Sequence, residues 1–115
     1  MRVRVYGNGT QKREWPIAGI KKALFLIGGI HRVEEAGITM IRLMEEHIKR
    51  NPFIIPDDTT VFVLNPVHET NNREINGIDP NRDFELRRLP ETKAIVALTD
   101  FLVQQYGEIR IISGH

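Results

Sequence analysis

Apolar and polar positions alternate at the start of the chain. In residues 2–6 arginines alternate with apolar residues, which puts Val3 and Val5 on one face of a half-buried strand. Gly7-Asn8-Gly9-Thr10 is a turn signal, and residues 13–18 are expected to return as the second strand of a hairpin, edge-like because of Pro16. Residues 23–27, Ala-Leu-Phe-Leu-Ile, are apolar throughout, the pattern of a strand covered on both faces, and Gly28-Gly29 ends it. Over 34–50 the period changes to that of a helix. Ala36, Met40, Leu43, His47 and Gly37, Ile41, Met44, Ile48 form a broad stripe. Glu34 and Glu35 in the first turn and Lys49 and Arg50 in the last suit the helix dipole, and Pro52 lies just beyond.

A second buried-type strand is expected over 60–64, Thr-Val-Phe-Val-Leu, followed by a long polar stretch from Asn65 to Arg88. Stretches of that length inside a domain usually serve a function. Pro90-Glu91 opens a second helix over residues 91–106, with Ile95, Leu98, Phe101, Leu102 and Tyr106 on its apolar side and Gly107 as its expected cap. Ile109 to Ile112 form a last strand that ends in Ser113-Gly114-His115.

Strands alternating with helices imply an α/β fold. The sheet is expected to be mixed and mostly parallel, with helices on its faces and right-handed crossovers. In open sheets of this kind ligands bind beyond the carboxyl ends of the strands. Three polar clusters lie just past strand ends: Gly29 to Glu35, Asn65 to Phe84, and Ser113 to His115. Connectivity alone would bring them together.

Composition narrows the chemistry. The 115 residues fit one domain, which buries roughly 65% of its unfolded surface. A net charge of +1 with interspersed signs argues against a general nucleic-acid or membrane-surface role. With no cysteine, a metal site must use His, Asp or Glu. The start, Met1-Arg2-Val3-Arg4-Val5, is not a signal peptide, and the longest apolar run, Ala23 to Ile30, is far short of a membrane span. A cytoplasmic location is the default expectation. There is no P-loop, Gly-x-Gly-x-x-Gly or Gly-x-Ser-x-Gly.

The sharpest local feature is Gly28-Gly29-Ile30-His31-Arg32-Val33-Glu34. His31 and Glu34, three apart on a first helical turn, can point to one side. An imidazole and a carboxylate suit zinc, which takes three protein ligands and a water in catalytic sites. Taken alone, the same spacing is also what a plain helix start offers, with Glu34 answering the dipole. The second feature is Asn76-Gly77-Ile78-Asp79-Pro80-Asn81-Arg82-Asp83-Phe84, after the next strand.

Together these resemble the zinc carboxypeptidase family of the carboxypeptidase A type, including bacterial enzymes acting on peptidoglycan peptides. That family carries His-x-x-Glu after a buried strand, then a segment like Asn-Gly-Val-Asp-Leu-Asn-Arg-Asn-Phe, then a His after a later strand. All three occur here in order, over roughly residues 20–115. Asn65-Pro66 and Pro90-Glu91-Thr92 also fit.

The resemblance implies the N-terminal half of a phosphorylase/hydrolase-like carboxypeptidase domain spanning residues 1–115, with one Zn²⁺ held by His31, Glu34 and His115. Asn81 and Arg82 match the pair that holds the substrate's terminal carboxylate, and a guanidinium supplies the bidentate bonds for it. Arg73 lies near the position of the arginine that stabilises the oxyanion, with a spacing to Arg82 about one residue shorter than in relatives.

Departures are plain. Arg32 stands where relatives have Gly, Pro80 replaces Leu, and Asp83 replaces the second Asn. The family's second half carries a substrate-binding tyrosine and the general-base glutamate. No residue here matches that glutamate, although Glu35, Glu69 and Glu74 lie in or near the expected site.

The expected activity is zinc-dependent hydrolysis of peptide bonds, including cell-wall peptides, with these residues alone inactive for want of the general base. Two alternatives stay open: a zinc deacylase of N-acyl amino acids, and a non-catalytic truncated binding module. The expected partners are a peptide or N-acyl amino acid bearing a free carboxylate and, through an exposed final strand, a second copy of the chain. No nucleic acid or membrane partner is expected. His47 is read as packing or partly exposed, Tyr6 and Trp15 as hairpin and core aromatics, and Arg87-Arg88 as a solvated face.

Overall fold

The computed structural model describes residues 2–11, 22–30, 35–67, 78, 87 and 89–114. The elements run β1 (Val3–Gly7), β2 (Thr10–Gln11), β3 (Lys22–Gly28), α1 (Glu35–Arg50), a 3₁₀ turn (Pro52–Ile54), β4 (Thr59–Leu64), α2 (Pro90–Gln105) and β5 (Glu108–Gly114). The sheet order is β2-β1-β4-β3-β5. β1 pairs antiparallel with β2 and β4, while β3 pairs parallel with β4 and β5. The fold is therefore α/β with a mixed sheet. The expected return strand over 13–18 lies outside the described residues, and the hairpin partner of β1 is the two-residue β2.

The two apolar runs explain the centre of the sheet. β3 and β4 lie side by side in an unbroken register from Lys22↔Thr59 to Ile27↔Leu64. Side chains of a strand alternate between faces. Phe25, Ile27, Phe62 and Leu64 thus pack on one side with Ile95, Leu102 and Tyr106 of the α2 region, and Val3 and Val5 join them as expected. Leu26, Val61 and Val63 pack on the other with Ile41 and Ile48 of α1. One helix covers each face. The crossover from β3 to β4 steps one way across the sheet, and the crossover from β4 to β5 steps back past β3. Right-handed connections running in opposite directions put their helices on opposite faces.

Two readings of helical detail are corrected. Only half of the broad α1 stripe faces the sheet: Gly37, Ile41 and Ile48 are buried and Met44 is half-buried, whereas Met40 and Leu43 are 43% and 55% exposed. A helix against a flat sheet needs one ridge, and the fourth buried position on this one is a glutamate, Glu45. α2 also ends differently, on Tyr106 in extended conformation (φ −121°, ψ 142°), whose N–H donates to the Leu102 carbonyl at 2.9 Å. No left-handed Gly107 is used, because burial of the Tyr106 ring takes the chain straight into β5. Among the described residues no helix is long and apolar enough to cross a membrane.

Candidate functional site

The helices that follow adjacent strands β3 and β4 lie on opposite faces, and this is the condition for a crevice at the carboxyl ends of the strands. Three strand ends meet at that edge. Ile27 lies beside Leu64, and Gly28 beside both Ser113's neighbour Gly114 and the start of the chain leaving β4. The Val67 N–H donates to the Gly28 carbonyl at 2.8 Å, which extends the β3–β4 contact past the end of the ladder.

Small residues let the backbones close up here. A Cβ on Gly28 would collide with Asn65 Oδ1, and one on Gly114 would stand 2.7 Å from the Gly37 carbonyl oxygen in the first turn of α1. Gly29 has φ 77°, a conformation that disfavours side chains, and a Cβ there would stand 2.6 Å from Pro66 Cβ. The Asn65–Pro66 peptide bond is cis. Asn65 Nδ2 donates to the Ile38 carbonyl at 3.0 Å, so the end of β4 is tied to the same turn of α1 that packs on the end of β5.

A charged cluster supports this edge from beneath the α1 face. Arg4 holds the Glu45 carboxylate with two bonds, Nε to Oε2 at 2.6 Å and Nη2 to Oε1 at 2.8 Å. The Tyr6 hydroxyl donates to Glu45 Oε2 at 2.6 Å, and Arg4 Nη2 also reaches the Asn65 carbonyl at 3.3 Å. Glu45 is only 6% exposed. Burial alone pushes its carboxyl pKa up, but the bonds from Arg4 and Tyr6 and the Arg4 charge outweigh burial and hold it below its ordinary value of 4.5. Burial, followed by the bond to the Glu45 anion, pushes the Tyr6 phenol well above its ordinary 10.0. The Glu45 bond is likewise the main cause that raises Arg4, against the opposing effect of burial. The cluster is thus ionised Arg4 and Glu45 with a neutral phenol donor.

The residues predicted from sequence to carry the chemistry, His31, Glu34, Arg73, Asn81, Arg82 and His115, lie outside the described residues, as do His68, Glu69, Glu74, Trp15 and Arg88. Their flanks are described. Buried Ile30 precedes His31, and exposed Glu35 follows Glu34 at the start of α1. Buried Gly114 precedes His115. Arg87 is exposed, with φ 55°. Among the described residues no group of three or more His, Asp or Glu side chains is placed to hold a metal ion. His47 is exposed, and its Nδ1 accepts a 3.4 Å bond from Asn51 Nδ2. With Arg50, Asn51 and Phe53 it lines an open recess at the far end of the sheet, away from the strand carboxyl ends.

The Arg4–Glu45–Tyr6 cluster was missed by sequence reasoning. Its one local signal is a glutamate four residues after Ile41 on the buried ridge. The partners that neutralise it lie 41 and 39 residues earlier, and no periodicity links them. No protein-family model, curated protein or solved structure matches the chain.

Proposed function

We propose that the chain is a zinc hydrolase domain of the metallocarboxypeptidase type, cleaving a peptide bond near a free carboxylate. The observation that carries this reading is the order of chemistry along the fold. His-x-x-Glu follows β3, Asn81-Arg82 follows β4, and His115 follows β5, and the carboxyl ends of these three strands are neighbours, with Gly28 opposite Gly114 and Ile27 beside Leu64. The opposed helices make that edge the natural crevice of the sheet.

Two imidazoles and a carboxylate are a donor set that suits Zn²⁺, so His31, Glu34 and His115 would hold the ion. When bound, zinc supplies Lewis acidity toward a carbonyl oxygen and toward water. The chain's own residues do the rest. Arg82 with Asn81 reads the terminal carboxylate through paired hydrogen bonds, which fixes the substrate's direction. Arg73 offers its charge to the carbonyl oxygen as negative charge develops there. No residue of the chain is assigned the proton-transfer role, and a missing general base typically costs ~10²–10⁴-fold in rate. The Asn76-Gly77-Ile78-Asp79 wording favours peptides over N-acyl amino acids as substrate.

Metal analysis after zinc reconstitution tests the site itself. One zinc per chain is expected, lost in His31→Ala and retained in Arg82→Ala. A chain that takes up no stoichiometric zinc, or a His31→Ala variant that holds as much as the parent, would sink the reading.

A further inference from the structure

The two ends of the sheet differ. One is closed by β2, a two-residue strand, while the other is β5, seven residues long and, among the described residues, hydrogen-bonded only to β3. An edge strand of that length presents a row of free N–H and C=O groups, and folded proteins usually blunt such a row with charges, proline, a bulge or a very short strand. Of these β5 has only charges, Glu108 and Arg110. Glu108 to Gly114 contains no proline, and its register against β3 runs unbroken from Lys22↔Glu108 to Gly28↔Gly114. Its apolar residues are open on both faces, with Ile111 49% and Ile112 38% exposed.

Charge identifies what pairs with it. Glu108 and Arg110 lie on one face, two residues apart, and bridge each other at 3.3 Å with most of the Arg110 side chain in solvent. This pattern is self-complementary about a two-fold axis. In an antiparallel pair centred on Ile109, Glu108 of each copy faces the partner's Arg110, twice over. Ile109 then meets its own copy on the opposite face, with Ile111 on the diagonal, both within reach of cross-strand packing. A pair centred on Arg110 would set two guanidinium groups against each other. One centred on Ile111 would set Arg110 against an isoleucine. A parallel, in-register pair would align like charges.

We propose that two copies of the chain associate edge to edge through β5, antiparallel about a two-fold axis at Ile109, with Glu108 opposite the partner's Arg110. The occupant of the edge is a second copy of this chain. The contact is independent of any metal bound at the carboxyl ends of the strands. In this register Glu108 to Arg110 of the two strands pair directly and Ile111 lies opposite Gly107, beyond the start of β5, so the contact buries far less than a standard interface and the dimer is weak and depends on concentration.

Sedimentation equilibrium on the parent, E108R, R110E and the double variant E108R/R110E tests this. The parent is expected to dimerise as concentration rises. Each single reversal turns two attractive pairs into repulsive ones and should weaken dimerisation ~tenfold, while the double variant should restore it. An equimolar mixture of E108R and R110E should form a heterodimer more readily than either variant associates with itself. Rescue by mixing separates the contact from any loss of folding, because R110E leaves the Lys22–Glu108 ion pair in place. A parent that stays monomeric at all concentrations would overturn the proposal. So would a dimer indifferent to both single reversals, or a mixture that shows no preference for the heterodimer.

Discussion

Glu45 is the residue on which the α1 face turns. A carboxylate in an apolar ridge is costly unless its charge and lone pairs are all answered. Here the Arg4 fork answers the charge, and three hydrogen bonds from Arg4 and Tyr6 engage both carboxylate oxygens. Breaking a buried pair leaves the surviving charge without a partner, so Glu45→Gln should lose about 3 kcal/mol at neutral pH. Tyr6→Phe removes one hydrogen bond and should lose about 1 kcal/mol. The pH dependence follows from the direction of each shift. Glu45 titrates below 4.5 in the folded chain, so its contribution is present above that pH and is lost as pH falls through the folded value. Tyr6 titrates above 10.0 when folded, so its contribution is present below that pH and is lost as pH rises beyond it. Urea unfolding of the parent and Glu45→Gln at pH 7 and in acid checks this. The gap between them should narrow in acid, and an unchanged gap would mean that the ion pair is not its source.

Between elements, the tightest fit is that of α1 on the ends of β4 and β5. Gly114→Ala would press a methyl group into the backbone of Gly37, where no rotamer can yield, and overpacking of this kind typically costs about 1–3 kcal/mol. Gly28→Ala meets the Asn65 side chain instead, which can swing away at the loss of its bond to the Ile38 carbonyl. Thermal denaturation should therefore rank Gly114→Ala below Gly28→Ala, and both below the parent. The reverse order would mean that α1 is not held by backbone contact with β5.

What was legible in the sequence at this scale is what period and composition encode. Residues 23–27 and 60–64 announce two buried strands because both of their faces are covered, and Ile95, Leu102 and Tyr106 announce the inner side of α2. The final strand, expected to be exposed, carries Ile111 and Ile112 open at the end of the sheet. The width of the buried α1 ridge was not legible. Met40 and Leu43 match the helical period, but period alone cannot say how wide a ridge a sheet will cover. For the candidate site, the neighbouring strand ends were readable from connectivity, while the motif residues that local wording singles out lie outside the described residues. The Arg4 brace to Asn65 was not, because it joins residues 61 apart.

At the scale of the whole molecule, one strand pair carries both cores. β3 sends Phe25 and Ile27 to the α2 side and Leu24 and Leu26 to the α1 side, and β4 divides its side chains in the same way. Neither helix can lose its support without loosening the strands that support the other, so the two faces should unfold as one unit even though no single cluster contains both helices. Ile41→Ala empties a fully buried site on the α1 face, and Leu102→Ala does so on the α2 face. Each is expected to cost about 2–5 kcal/mol. If β3 and β4 couple the faces, either substitution should lower the protection of the slowest-exchanging amides in both helices together. Amide hydrogen exchange decides the point: Ile41→Ala loosening α1 while α2 keeps its protection would show two separately stable halves. The same coupling bears on the candidate crevice, since its three walls are the ends of β3, β4 and β5. On the proposed zinc reading, a core substitution on either face should weaken zinc uptake at the strand ends only as far as it lowers the folded fraction of the chain.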